Sequence, residues 1–118
     1  MGYDIHITRA VDWTENAGQE ISAEEWLEIV NNDPELTPDP DNGSYSAIWA
    51  VGVESPVTWL DWANGNIYTT NPDRAILSKM LQLSQQLGAK VQGDNGEVVN
   101  DDSEWSEAWK SGEVVEYN

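Results

Sequence analysis

The chain has no cysteine, no phenylalanine, a single histidine and only five lysines and arginines among its 118 residues. Without a thiol there can be no disulfide, thiolate metal site or cysteine nucleophile, and the redox compartment stays open in either direction. With His6 as the sole imidazole, a two-histidine metal site is excluded, and any serine–histidine–acid arrangement would have to use His6 itself. Glycine-rich phosphate loops are missing as well. No apolar run approaches the roughly 18 residues needed to cross a bilayer, and the N-terminus lacks the basic segment and apolar stretch of a secretory signal. A cytoplasmic protein is expected.

What is abundant is acid. Asp and Glu number 22, giving a formal net charge of −17. Nucleic acid and anionic membranes would be repelled, and a basic protein surface is the natural complement. Seven tryptophans and four tyrosines, with a regular supply of Ile, Leu and Val, set this chain apart from disordered acidic tails. Residues 1–118 are expected to form one acidic domain.

The most informative stretch runs from Trp59 to Pro72. Asn64-Gly65 between two β-prone runs predicts a type I′ hairpin, because both central positions need positive φ. The register then sets Ala63 opposite Asn66, Trp62 opposite Ile67, Asp61 opposite Tyr68 and Leu60 opposite Thr69. Leu60, Trp62 and Ile67 share a face suited to a core. Trp59, Asp61 and Tyr68 share the other, an aromatic pair flanking a carboxylate, which suits a partly wet binding surface.

Around this hairpin, Tyr3 to Arg9 alternates as a half-buried strand with Tyr3, Ile5 and Ile7 inward and Asp4, His6 and Thr8 outward. Residues 10 to 21 read as a long connection pinned by Trp13. Ser22 and Glu25 form a capping box, followed by a helix with Ala23, Trp26, Leu27 and Val30 on its apolar face and Glu24, Glu25 and Glu28 solvated, stopped by Asn31 to Pro34. Asp33 to Ser44, with three prolines and four acids, reads as a loop. Its Asp39, Asp41 and Gly43 fail as a calcium loop, since glycine falls fifth instead of sixth and no glutamate follows at the required distance. Tyr45 to Val51 is a strand, broken by Pro56.

Asn71-Pro72-Asp73 predicts a helix start capped by Asn71. Ile76, Leu77, Met80, Leu81, Leu83 and Leu87 then recur at helical spacing from Pro72 to Leu87, ended by Gly88 in the left-handed conformation. Lys90 to Asp94 and Glu97 to Asn100 flank Asn95-Gly96, a second hairpin of the same type. Asp101 to Ser103 start a short helix carrying Trp105 and Trp109, closed near Gly112, and Val114 to Tyr117 could add an edge strand. The expected fold is α+β, a mostly antiparallel sheet with two hairpins, two main helices on one face and a short C-terminal helix.

Taken together, Tyr3 to Arg9, Ile21-Ser22 with Glu25-Trp26, Trp59-Leu60-Asp61, Gly65-Asn66-Ile67, Asn71-Pro72-Asp73 and Lys90 to Glu97 resemble a family of small, acidic, mostly uncharacterised bacterial cytoplasmic proteins. Some of these are suspected immunity partners of secreted polymorphic toxins. The resemblance spans residues 3 to 97, leaves 98 to 118 outside, and brings no catalytic residues with it.

It implies an inhibitory binding protein that covers a basic toxin site with carboxylates and aromatic anchors, with no catalytic residue, cofactor or metal. The candidate partner-binding residues are Asp4, His6, Asp33, Glu35, Asp39, Asp41, Trp59, Asp61 and Tyr68. An alternative is a small enzyme or carbohydrate-binding protein using Asp4, His6, Trp59, Asp61 and Tyr68, with Asp4 orienting His6 as a base. The histidine more simply has a structural or surface role. A second alternative is a DNA-mimicking inhibitor, whose acids would have to be spaced like phosphates.

Overall fold

The computed structural model describes residues 3–50 and 58–111, with backbone alone at 110 and 111. In chain order the strands are β1 (Asp4–Thr8), β2 (Leu36–Pro38), β3 (Ala47–Trp49), β4 (Thr58–Ala63), β5 (Asn66–Thr70), β6 (Lys90–Gly93) and β7 (Val98–Val99). The helices are α1 (Ala23–Asn32), α2 (Arg74–Gln86) and α3 (Glu107–Ser111). The strands make one sheet in the order β2-β3-β4-β5-β1-β6-β7, every pair antiparallel, so the fold is α+β as expected.

Strand parity builds the core. Trp62, Ile67, Ile7, Val91 and Val99 oppose one another in sequence across the sheet, a single apolar row on one face. Onto this face α1 sets Trp26 and Val30, and α2 sets Ile76, Leu77, Met80 and Leu83. Leu27 and Leu81, expected in the same stripes, are only partly buried.

The local signals locate most elements. Asn64 and Gly65 both have positive φ, +53° and +84°, and the β4–β5 register matches the one their turn dictates. A Cβ on Gly65 would lie 2.5 Å from the Glu20 Cβ, so the glycine also lets the preceding connection pass close by. Ser22 and Glu25 form the capping box. Gly88, at φ +60°, ends α2 with its N–H on Gln85 O and the Ala89 N–H on Ser84 O, a Schellman closure.

Elsewhere the structure departs from the sequence reading, each time for a physical reason. Asp73, not Asn71, caps α2, its carboxylate Oδ1 accepting the Ile76 N–H. Asn71 instead has φ +51°, and its Oδ1 accepts the Tyr3 N–H, which ties the turn to the start of β1. The proline-rich segment 33–44 contains β2 as well as the 3₁₀ turn Pro40–Asn42. Leu36 is buried, and Pro38 lies on the sheet edge, where its missing N–H is not needed. The strand expected over Tyr45 to Val51 is confined to β3 among the described residues. Val51 and Pro56 lie outside them.

The second hairpin does form, though not with a type I′ turn. Asn95 does not have positive φ, the Gly96 N–H closes on Gly93 O, and the Gly93 N–H reaches Glu97 O, leaving a three-residue loop with Gly96 at φ +84°. Side chains favour the longer loop, since Glu97 Oε1 accepts from the Asn95 N–H and from the Tyr3 hydroxyl. At the C-terminal end Trp105 and Trp109 do not share a helix. Extended backbone at Trp105 separates the 3₁₀ turn Asp102–Glu104 from α3, so that Trp105 Nε1 donates to Pro72 O while Trp109 stacks on Tyr3. Gly112 and the strand expected at Val114 to Tyr117 lie outside the described residues.

Glu25 is not simply a solvated residue of α1. Arg9 donates from both terminal guanidinium nitrogens, Nη1 and Nη2, to its carboxylate while Arg9 Nε donates to Leu87 O, linking the start of α1 to the end of α2. The Arg9 hydrogen bond, then the Ser22 backbone N–H, lower the Glu25 pKa to about 2. A carboxylate depressed in the folded state stabilises above its unfolded pKa near 4.5 and loses that contribution as pH falls towards 2. The wild type should therefore show a stability loss over this window that is smaller in Glu25→Gln, measured by urea unfolding at stepped pH. Equal acid sensitivity in both would remove Glu25 as a source of it.

Candidate functional site

The outer face of the sheet is where the remaining chemistry collects. Across it Asp61, Tyr68, His6, Gln92 and Val98 oppose one another in turn, a polar row mirroring the apolar one beneath. The row is divided in two by the connection between β1 and α1.

Residues 10 to 21 lie over the β1 and β6 side. The Trp13 ring stacks on His6 with centroids 3.7 Å apart, Gln92 Nε2 donates to Val11 O, Gln92 Oε1 accepts the Trp13 N–H, and Asn66 Nδ2 donates to Trp13 O. Trp13 does pin the connection, and β1 is consequently covered on both faces, not half-buried. Trp13 Nε1 is itself buried without a hydrogen-bond partner among the described residues. That desolvation opposes the stacking but does not prevent it.

His6 is 5% exposed. Its Nε2 lies 3.1 Å from Asp94 Oδ1, an arrangement in which an Nε2–H donates to the carboxylate. Asp4 does not orient the ring, contrary to the sequence reading: its Oδ1 accepts the Thr70 hydroxyl, and its N–H donates to Asp94 Oδ2. The loop between β6 and β7 supplies the acid that a strand neighbour was expected to supply. Asp4 and His6 still border a cavity of about 470 Å³ shared with Trp13, Asn66 and Tyr68.

On the β3–β4–β5 side the face is open among the described residues. Trp59 is 39% exposed and meets Tyr68 edge to face, at a centroid distance of 5.5 Å and an interplanar angle of 83°. With Asp61, Ile48, Asp39 and Ser46 they line a cavity of about 430 Å³. Burial, then the charges of Asp61 and Asp4, raise the Tyr68 pKa, so the phenol stays protonated and available as a donor. Asp61 Oδ1 accepts the Trp62 N–H, and Asp39 Oδ2 accepts from Asn42 Nδ2. Neither carboxylate has an ion-pair partner among the described residues. Arg9 is engaged by Glu25, Arg74 by Asp102, and Lys79 by Asp33 and Glu35.

The nine candidate residues thus separate. Trp59, Asp61, Tyr68 and Asp39 meet at one cavity, Asp4 and His6 at its neighbour, and Tyr68 borders both. Asp41 is in the 3₁₀ turn beside Asp39 and does not line the cavity among the described residues. Asp33 and Glu35 border a different groove, of about 560 Å³, against Ile29 and Gln82, and both accept from Lys79 Nζ, at 2.6 and 2.9 Å. Sequence reasoning missed Ile48, Ser46 and Asn42 as cavity residues, because only the pairing of β3 with β4 brings them beside Trp59.

Among the described residues no group of three or more His, Asp and Glu side chains is arranged to hold a metal ion, and no helix is long and apolar enough to cross a membrane. Compared with family models, curated proteins and solved structures, the chain matches none.

Proposed function

We propose that the protein is an immunity-type inhibitor that binds a basic protein partner, a secreted bacterial toxin in the cytoplasm, through the open half of its outer sheet face. The observation that carries this reading is the cavity where Trp59 and Tyr68 flank Asp61 and Asp39, carboxylates with no internal cation among the described residues. Partly exposed aromatics give large contact area at low entropic cost, and unneutralised acid beside them selects a cationic surface. The net charge of −17 steers encounter. Covering a basic active site needs no chemistry of the inhibitor's own. In keeping with that, the candidate base His6 is stacked under Trp13 and engaged by Asp94.

Association should be fast at low ionic strength and slow markedly as the screening length falls from about 30 Å at 0.01 M salt to about 10 Å at 0.1 M. Trp59→Ala should act on dissociation, costing about 2 kcal/mol, roughly a 30-fold faster off-rate. The fold should survive, because Thr69 Oγ1 donates to the Trp59 backbone carbonyl, which the substitution keeps. A pull-down from the parent bacterium with wild type and Trp59→Ala side by side tests the reading. A basic protein held by the wild type and lost from the variant is expected. A partner held equally by both, or binding indifferent to salt, would contradict it.

A further inference from the structure

We infer that the cavity between β3, β4 and β5 is an arginine pocket: it takes the guanidinium of an arginine side chain presented by the protein partner. The inference rests on the proposed function and names the anchor that the partner brings. Three features point to a planar cation. Trp59 and Tyr68, nearly perpendicular at 83°, both line the cavity, and a guanidinium that stacks on either ring face keeps its N–H groups free in its own plane. Asp61 and Asp39 each have one carboxylate oxygen engaged by an N–H group of this chain and border the same space, the other oxygen accepting no hydrogen bond among the described residues. Asn42, Ser46 and Ile48 complete the walls, the first two able to accept a hydrogen bond and the third suited to the aliphatic stem of the side chain. A cavity of about 430 Å³ has room for a whole arginine side chain.

The other acidic recess lacks this vacancy of charge. In the groove bordered by Glu25, Glu28, Asp33 and Glu35, three of the four carboxylates already face an arginine or lysine of this chain. An incoming cation would find only Glu28 without competing with an internal one. At the sheet cavity it breaks no ion pair among the described residues.

The test uses the protein alone. N-acetyl-arginine amide is titrated at low salt against the side-chain N–H resonance of Trp59, with N-acetyl-citrulline amide as the neutral isostere, N-acetyl-lysine amide as the non-planar cation and maltose as a neutral sugar. Arginine amide is expected to give a saturable shift, with citrulline about tenfold weaker or more and lysine several-fold weaker. Asp61→Asn should weaken arginine about fivefold or more while leaving the spectrum folded, because the amide oxygen can still accept the Trp62 N–H. Citrulline or lysine binding as well as arginine, maltose binding in place of arginine, or no saturable arginine shift would each overturn the inference. None of these outcomes touches the salt-dependent capture of a protein partner sensitive to Trp59, so the two readings fail separately.

Discussion

Lys79→Ala is expected to lower the unfolding free energy by about 3 to 5 kcal/mol at pH 7, among the largest single effects in the protein. The Lys79 side chain is 3% exposed, and its ammonium donates to Asp33 and Glu35. Burial is the largest influence on Lys79, pushing its pKa down, yet the hydrogen bonds to Asp33 and Glu35 overcome it and leave the pKa raised. At Asp33 burial pushes up, and the Lys79 hydrogen bond, the Glu35 N–H and the Lys79 charge together pull the pKa below its ordinary value. Removing the lysine leaves the burial of Asp33, 12% exposed, unopposed by any cation. Lys79→Met separates charge from packing, because it restores the stem and not the ammonium. In that variant Asp33 should have a raised folded pKa, so stability should recover as pH falls from 7 towards 4, opposite to the acid sensitivity expected of a paired carboxylate. Urea unfolding of both variants across this range checks it. A cost under about 1 kcal/mol, or a methionine variant that loses stability on acidification as the wild type does, would show the ion pair to be incidental.

Trp26→Ala should cost a comparable amount, about 3 to 5 kcal/mol. The indole is fully buried between α1 and the sheet, and its Nε1 donates to Tyr45 O at 2.8 Å. Truncation leaves a cavity and also strands the Tyr45 carbonyl, so the penalty should exceed that of a purely apolar deletion nearby, such as Val30→Ala. The check is chemical denaturation of the two variants side by side. Equal losses would contradict both the cost of the larger cavity and that of the stranded carbonyl.

How far the sequence reveals this arrangement depends on the range of the interactions. Asn64-Gly65 fixes a turn type and with it a register, so the separation of Trp59, Asp61 and Tyr68 from Leu60, Trp62 and Ile67 follows from parity alone. The leucine and methionine spacing of α2 is equally local. The partners of Asp33 and His6 are not. Lys79 is 46 residues from Asp33, and Asp94 is 88 residues from His6, so Asp33 and Glu35, offered as partner-binding acids, are engaged by a lysine of this chain, and an orienting acid expected at Asp4 comes from the far hairpin. Trp13 stands out as the lone large apolar residue of a polar connection. Nothing local says that its target is a histidine, or that the Gln92 side chain will hold the Trp13 N–H and the Val11 carbonyl. The half of the outer face left open is therefore a result of tertiary folding, although the residues that mark it are visible in the hairpin.

The most direct test of the outer face as the binding surface is amide chemical-shift mapping of the labelled protein with its captured partner. The largest changes should fall on Ile48, Trp59, Asp61 and Tyr68, with smaller ones at Asp39 and Asp4, while the α1–α2 groove around Ile29 and Gln82 stays unchanged. Changes concentrated on that groove, with the Trp59 and Tyr68 signals unmoved, would contradict the account.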